Sequence, residues 1–195
     1  MSKSIEFTQS QIKAKENRAT MFMFPIIGDN QTLINKIVNS KIESAKSYSI
    51  GKFIQNEAPL QIGDKDIYVK EEFTVSLYDN GLVTGSQFAP RLPIWQPASQ
   101  MTKEQSRYTI NEVIDIRVVR VKDCIYDYST ILERLEIGKI KKFGVKYHVP
   151  KSFMGHEQNA KDGFVEYYNT QLKEQNISRT YEDNDYVFLI KIRDK

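Results

Sequence analysis

Residues 107–123 read RYTINEVIDIRVVRVKD, within which Tyr108–Val121 is the longest β-rich run in the chain, and the fold turns on how it is read. Ile110, Ile114, Ile116 and Val118 share one phase of a period-two pattern, and Val113, Val119 and Val121 share the other. Alternate side chains of a strand point to opposite faces, so a change of phase within one run predicts a bulge or a strongly curved strand.

Working outward, Tyr186–Ile192 reads as a closing strand, and Asp127–Leu135 and roughly Asn159–Glu174 read as helices. The second of these carries Phe164, Tyr167, Tyr168 and Leu172 at helical spacing. Upstream, Gly63-Asp64 marks a turn before Asp66–Leu77, where Ile67, Val69, Phe73, Val75 and Leu77 lie in one phase. Glu71 falls in that same apolar row, so an acid points inward. Asp79-Asn80-Gly81 is a turn signal, and the proline-containing stretch that follows, to Pro97, reads as a long loop anchored by Trp95. Tyr48–Ile54 reads as a strand interrupted by Gly51. Asp29 or Asn30 caps a helix through Leu33, Ile34, Ile37 and Val38, and Thr8 caps a short helix from Gln9. Between them, Thr20–Ile27 is β-prone but contains Pro25, which predicts an irregular or edge strand. Strands and helices in this order give an α+β class with a small, mixed, mostly antiparallel sheet.

Composition narrows the function. With 40% hydrophobic and 27% charged residues in 195, the chain can bury a core without staples, and one domain over 1–195 is expected. Cys124 is the single cysteine, which excludes an intrachain disulfide and a multi-cysteine zinc site. His148 and His156 are a thin supply of imidazole, so no metal and no cofactor is expected. Met21–Ile27 is too short to span a bilayer, which points to a cytoplasmic location and no membrane partner. A net charge of +3 permits contact with phosphates without requiring it.

Four segments in order carry a resemblance: Ile12–Pro25, Gly63–Phe73, Trp95–Asp123 and Ala160–Ile192. Within them IWQPASQMTKEQSRYTINEVIDIRVVRVKD (94–123), QIGDKDIYVKEEF (61–73) and YEDNDYVFLIKI (181–192) are the informative stretches. Together they resemble the ASCH domains of the PUA-like superfamily, in the longer form found in phage and prophage proteins. The resemblance implies a small β-barrel covered by helices, with the helix at about 30–46 as an insertion. It also implies a cleft for a nucleotide, a modified nucleoside or single-stranded nucleic acid, RNA in particular.

The N-terminal signature of that family, Gly-x-Lys-x-x-Thr-x-Arg, is broken here. Asn17 stands where the lysine is usual, and Thr20 alone remains. In some small members that lysine and threonine, with a distant glutamate, hydrolyse the amide of acetylated cytidine. Asn17 can donate a hydrogen bond but cannot act as a base, so binding is favoured over hydrolysis. Lys15 lies two residues away, about 200° around a helix axis.

The candidate ligand-binding residues are therefore Asn17, Thr20, Lys70, Glu71, Trp95 and Arg107, with Thr20 and Glu71 catalytic if the chain is an amidohydrolase. Each has a plainer reading. Thr20 can serve as a turn residue, Lys70 as a solvated face residue and Trp95 as a loop anchor instead of a base-stacking ring. Arg107 can fork onto a phosphate or close an internal ion pair with Glu71 or Glu72, and Glu71 can be the buried end of such a pair. Tyr108, Arg117, Arg120 and Lys122 alternate aromatic and basic character, as a nucleic-acid surface does and as scattered surface charge does too. A protein partner, docking on the insertion and the proline-containing loop, is a third expectation.

Overall fold

The structure is a computed structural model that describes residues 3–16, 19–75, 82–84, 96–124 and 156–193. Asn17, Trp95, His148 and the helix expected at Asp127–Leu135 lie outside those residues. In chain order the elements are β1 (Ser4–Glu6), α1 (Gln9–Glu16), β2 (Met21–Pro25), α2 (Asp29–Val38), α3 (Glu43–Glu57), β3 (Lys65–Lys70), β4 (Phe73–Val75), β5 (Leu82–Thr84), β6 (Thr109–Arg120), α4 (His156–Glu174) and β7 (Tyr186–Arg193).

The main sheet has the order β1-β3-β6-β7-β2, in which only β1 and β3 run parallel. This is the mixed, mostly antiparallel α+β arrangement expected. As described, the sheet is open, with β1 and β2 at its two edges. β6 supplies its spine: residues near Thr109 and Ile110 pair with β3, and Glu112–Arg120 pair with β7. The register slips between Val113 and Asp115, which is the bulge that the change of phase requires.

Three stretches depart from the sequence reading. Tyr48–Ile54 lies within helix α3, not in a strand. Its apolar residues Ile50, Phe53 and Ile54 also satisfy helical spacing, and Gly51 has nothing within 4 Å of a built Cβ, so the helix passes it without demand. Packing settles the ambiguity, since Phe53 stacks on Phe188 of β7 with centroids 5.7 Å apart. Asp66–Leu77 is not one strand: β3 ends at Lys70, and β4 joins β5 in a separate two-stranded ribbon. That ribbon also places Leu82–Thr84 in a strand where a loop was expected. The inward phase nevertheless runs through the break, because Ile67, Val69, Glu71 and Phe73 are all buried.

β7 does not alternate. Tyr186–Ile190 are buried without interruption, so both of its faces are covered. Burying each of Phe22, Ile110 and Ile190 completely is worth about 1.5–3 kcal/mol per side chain. Thr8 opens α1 as expected, its Oγ1 accepting from Gln11 N at 3.3 Å while Gln11 Oε1 accepts from Thr8 N at 2.9 Å.

Glutamine amides tie the edge strand down. Gln11 and Gln171, both fully buried, donate to the Met23 carbonyl at 2.8 and 2.6 Å. Gln31 donates to the carbonyls of Ile26 and Tyr186 and accepts from Tyr186 N. These two kinds of glutamine respond differently to mutation. Gln31→Ala removes three bonds at the junction of β2, α2 and β7 and lowers unfolding free energy by about 1–3 kcal/mol. Gln171→Leu is within about 1 kcal/mol of neutral, because the Met23 carbonyl keeps Gln11 and the Gln171 Oε1, unpartnered among the described residues, is removed. Urea denaturation of both variants checks the contrast.

Candidate functional site

β3 leaves the sheet at Lys70, whose carbonyl accepts from Phe7 N at 2.9 Å, and Glu71 follows at the point of departure. The neighbouring strand β6 is preceded by the stretch Ser106, Arg107, Tyr108. Ser106 Oγ lies 2.7 Å from the Val69 carbonyl and 2.9 Å from that of Tyr108, and Val69 N donates to the Tyr108 carbonyl. This pinning sets Arg107 opposite Glu71.

Arg107 closes its fork on that carboxylate, Nε to Oε1 and Nη2 to Oε2 both at 3.0 Å. The Glu71 side chain is 1% exposed and that of Arg107 27%, so the pair runs from core to surface. At the outer end, Arg107 Nη2 stands 3.4 Å from Glu16 Oε1, and the Tyr108 hydroxyl donates to the same oxygen at 3.2 Å. The guanidinium carbon also sits 4.9 Å from the centre of the Tyr108 ring, within cation–π range. Glu16 is the last residue of α1, so the cluster joins the end of α1, the exit of β3 and the entry of β6.

The electrostatics follow from this packing. Burial works to lower the affinity of Arg107 for its proton, but the hydrogen bond and charge of Glu71 outweigh it and hold the guanidinium above its ordinary range. Burial pushes the Tyr108 phenol up to about 12; Arg107 opposes the shift, and Glu16 reinforces it.

The remaining candidates are distributed around this cluster. Lys70 Nζ donates to the Ser99 carbonyl at 3.2 Å and lies 5.7 Å from the centre of the Tyr68 ring, so it fastens the 97–101 loop to β3. Thr20 lies half-buried just before β2, and its carbonyl accepts from Ile192 N at 2.8 Å. No hydrogen bond joins the Thr20 side chain to the Arg107 cluster among the described residues. The structure thus brings Glu71 and Arg107 into contact and places Thr20 four residues beyond Glu16. A hollow of about 600 Å³ reaches Glu72, the residue after Glu71, and its lining also includes Glu6, Glu174, Thr8 and Ser99 but none of Glu16, Glu71, Arg107 and Tyr108.

The basic–aromatic alternation along β6 is engaged within the protein. Arg120 donates to the Asn184 carbonyl and to Asn35 Oδ1 and covers the Tyr186 ring, Lys122 pairs with Glu182 at 2.8 Å, and Arg117 lies 3.3 Å from Asp115. Cys124 is fully buried, as a small core residue. Glu16 went unnoticed in the sequence, since an acid ending a short helix carries no spacing signal.

Among the described residues no group of His, Cys, Asp and Glu could hold a metal ion, and no helix is long and apolar enough to cross a membrane. No family model, curated protein or solved structure matches this chain.

Two predictions follow from the cluster. Arg107→Ala strands the buried Glu71 carboxylate and costs about 3 kcal/mol, near the lower end for broken buried pairs because water reaches the Arg107 side. Arg107→Ala combined with Glu71→Gln recovers more than half of that loss, as a double-mutant cycle in urea measures. Tyr108 also makes stability depend on alkali. Its phenol titrates near 10.0 in the unfolded chain and about 12 in the folded one, so the stability it contributes is complete below pH 10 and is lost as pH rises towards 12. Tyr108→Phe flattens that part of the stability profile, measured by urea midpoints between those pH values.

Proposed function

We propose that the chain is a binding module of PUA-like type that holds a nucleoside, a modified base or a short single-stranded nucleic acid at the Glu71–Arg107 corner. The observation that carries this reading is the buried carboxylate of Glu71, held by both arms of the Arg107 fork and opening through Arg107, Tyr108 and Glu16 to solvent. At the solvent end of this chain of contacts the Glu16 carboxylate, fixed by Arg107 and Tyr108 through one oxygen, keeps its other acceptor positions in set directions, which suits the amino edge of a base. The family resemblance adds Thr20 and Lys70 as further polar residues of the proposed site, while Asn17 and Trp95, expected there from the sequence, lie outside the described residues. The curved β6 and the mixed strand order are compatible with a PUA-like barrel, which the family resemblance supplies.

Charge favours the base end of the ligand. The hollow at Glu72 carries Glu6, Glu72 and Glu174 in its lining and, among the described residues, neither lysine nor arginine, so a phosphate gains nothing there. Arg107 already spends its fork on Glu71, which argues against the phosphate-binding role open to it from sequence alone. Binding is preferred to amide hydrolysis because Lys70 is committed to the Ser99 carbonyl and Asn17 supplies no base.

Calorimetric titration with cytidine, N4-acetylcytidine and a single-stranded RNA hexamer tests the proposal. Saturable binding by at least one is expected, weakened about tenfold or more by Arg107→Lys, which keeps the charge and loses the fork. No heat from any of the three, in protein whose circular dichroism is native, sinks it. Release of acetate from N4-acetylcytidine, abolished by Glu71→Gln, would replace binding with the hydrolase reading.

A further inference from the structure

The hollow of about 600 Å³ at Glu72 has a chemistry of its own. Three carboxylates enter its lining from three places in the fold: Glu6 ends β1, Glu72 lies between β3 and β4, and Glu174 ends α4. Glu6 and Glu72 are exposed, and neither makes a hydrogen bond or ion pair among the described residues. Glu174 is fixed over the first turn of α1, its Oε2 accepting from Ser10 N at 3.1 Å.

The unmet groups here are acceptors. Gln9 is one of the wall residues, and its Oε1 is buried without a partner among the described residues. On α4, Gln171 precedes the wall residues Glu174 and Gln175 by three and four positions and so shares their helix face. It is fully buried, and its Oε1 is likewise unpartnered. No buried side-chain nitrogen of the lining is left in that state. The start of α1 would otherwise draw an anion, but Glu174 answers Ser10 N and Thr8 answers Gln11 N. Lys70, opposite Glu6 in the ladder, gives its Nζ to the Ser99 carbonyl and pairs with no carboxylate among the described residues.

We propose that this hollow binds a linear di- or triamine, an organic cation whose charges are spaced along a methylene chain. An ammonium group only donates, which matches walls that offer only unmet acceptors. The carboxylates come from separate elements, and no group of acids among the described residues could share one metal ion, so several spaced charges suit them better than a single one. Phe7, Pro97 and Ala98 give the methylenes apolar surface to lie on. The volume lies within the range of small-molecule sites. Because the whole chain carries a net charge of +3, a cation held by it is held by a local field and not by the overall charge.

Amide-resolved NMR titration of the full chain with spermidine, 1,5-diaminopentane, 1,5-pentanediol and magnesium chloride, at fixed ionic strength, tests this. Both amines are expected to give saturable shifts at Phe7, Gln9, Glu72 and Ser99, and the diol and magnesium to bind at least about tenfold more weakly. Glu72→Gln, at an exposed position where folding is not at risk, is expected to weaken spermidine about threefold or more, and its combination with Glu6→Gln about tenfold. Glu43→Gln, on the exposed face of α3 and outside the hollow, removes the same charge and is expected to leave spermidine binding unchanged. Shifts that stay linear into the millimolar range, equal binding of the diol or of magnesium, undiminished binding by the folded double variant, or an equal loss in Glu43→Gln would each overturn the proposal.

Discussion

The pairing of β6 with two partners at once is the constraint from which the rest of the molecule follows. Its start is tied to β3 and the rest to β7, and the slip at Val113 and Asp115 lets one strand serve both registers. A one-residue error would turn every following side chain to the wrong face, so the bulge has to lie where the two registers meet. β7 then receives cover on both faces, and α3 reaches it through Phe53. Beyond β7, β2 closes the order, held by its ladder and by glutamine amides from three different elements.

The same strand delivers the candidate site. Arg107 stands at the entry to β6 because Ser106 anchors the backbone there, and Glu71 meets it because β3 stops one residue earlier. An acid in the inward phase needs a counter-charge, and a guanidinium reaching in from the surface supplies one without burying a second full charge. The outer end of that guanidinium gathers Glu16 and Tyr108, which connects a helix terminus to two strands through a single side chain. An arrangement of this kind stabilises a corner and orders acceptors at its mouth, and the proposed binding rests on that double use.

Much of this was legible in the residues themselves. The bulge showed as a change of phase between Ile110 and Val119, the cap at Thr8 and the edge character of the Pro25 strand showed in residue type, and Glu71 showed as the one acid in an apolar row. Tyr48–Ile54 misled because aromatic and β-branched residues at 50, 53 and 54 fit both periods, and only the stacking on Phe188 decides between them. The break after Lys70 was invisible because the inward phase persists across it. At the site, the sequence named Arg107 and Glu71 as possible partners but could not choose between an outward and an inward fork, which depends on where Ser106 fixes the chain. Glu16 could not have been found, since its role arises from tertiary proximity across 91 residues.

The borders of the sheet have their own consequence. An open sheet exposes unpaired amides at each margin, an invitation to foreign strands. Here one margin is β1, three residues long, and the other is β2, which ends in a proline that has no amide hydrogen to offer. One margin is too short, and carries the exposed charge of Glu6, and the other loses its last donor to Pro25, so neither is a good template for an intermolecular ladder.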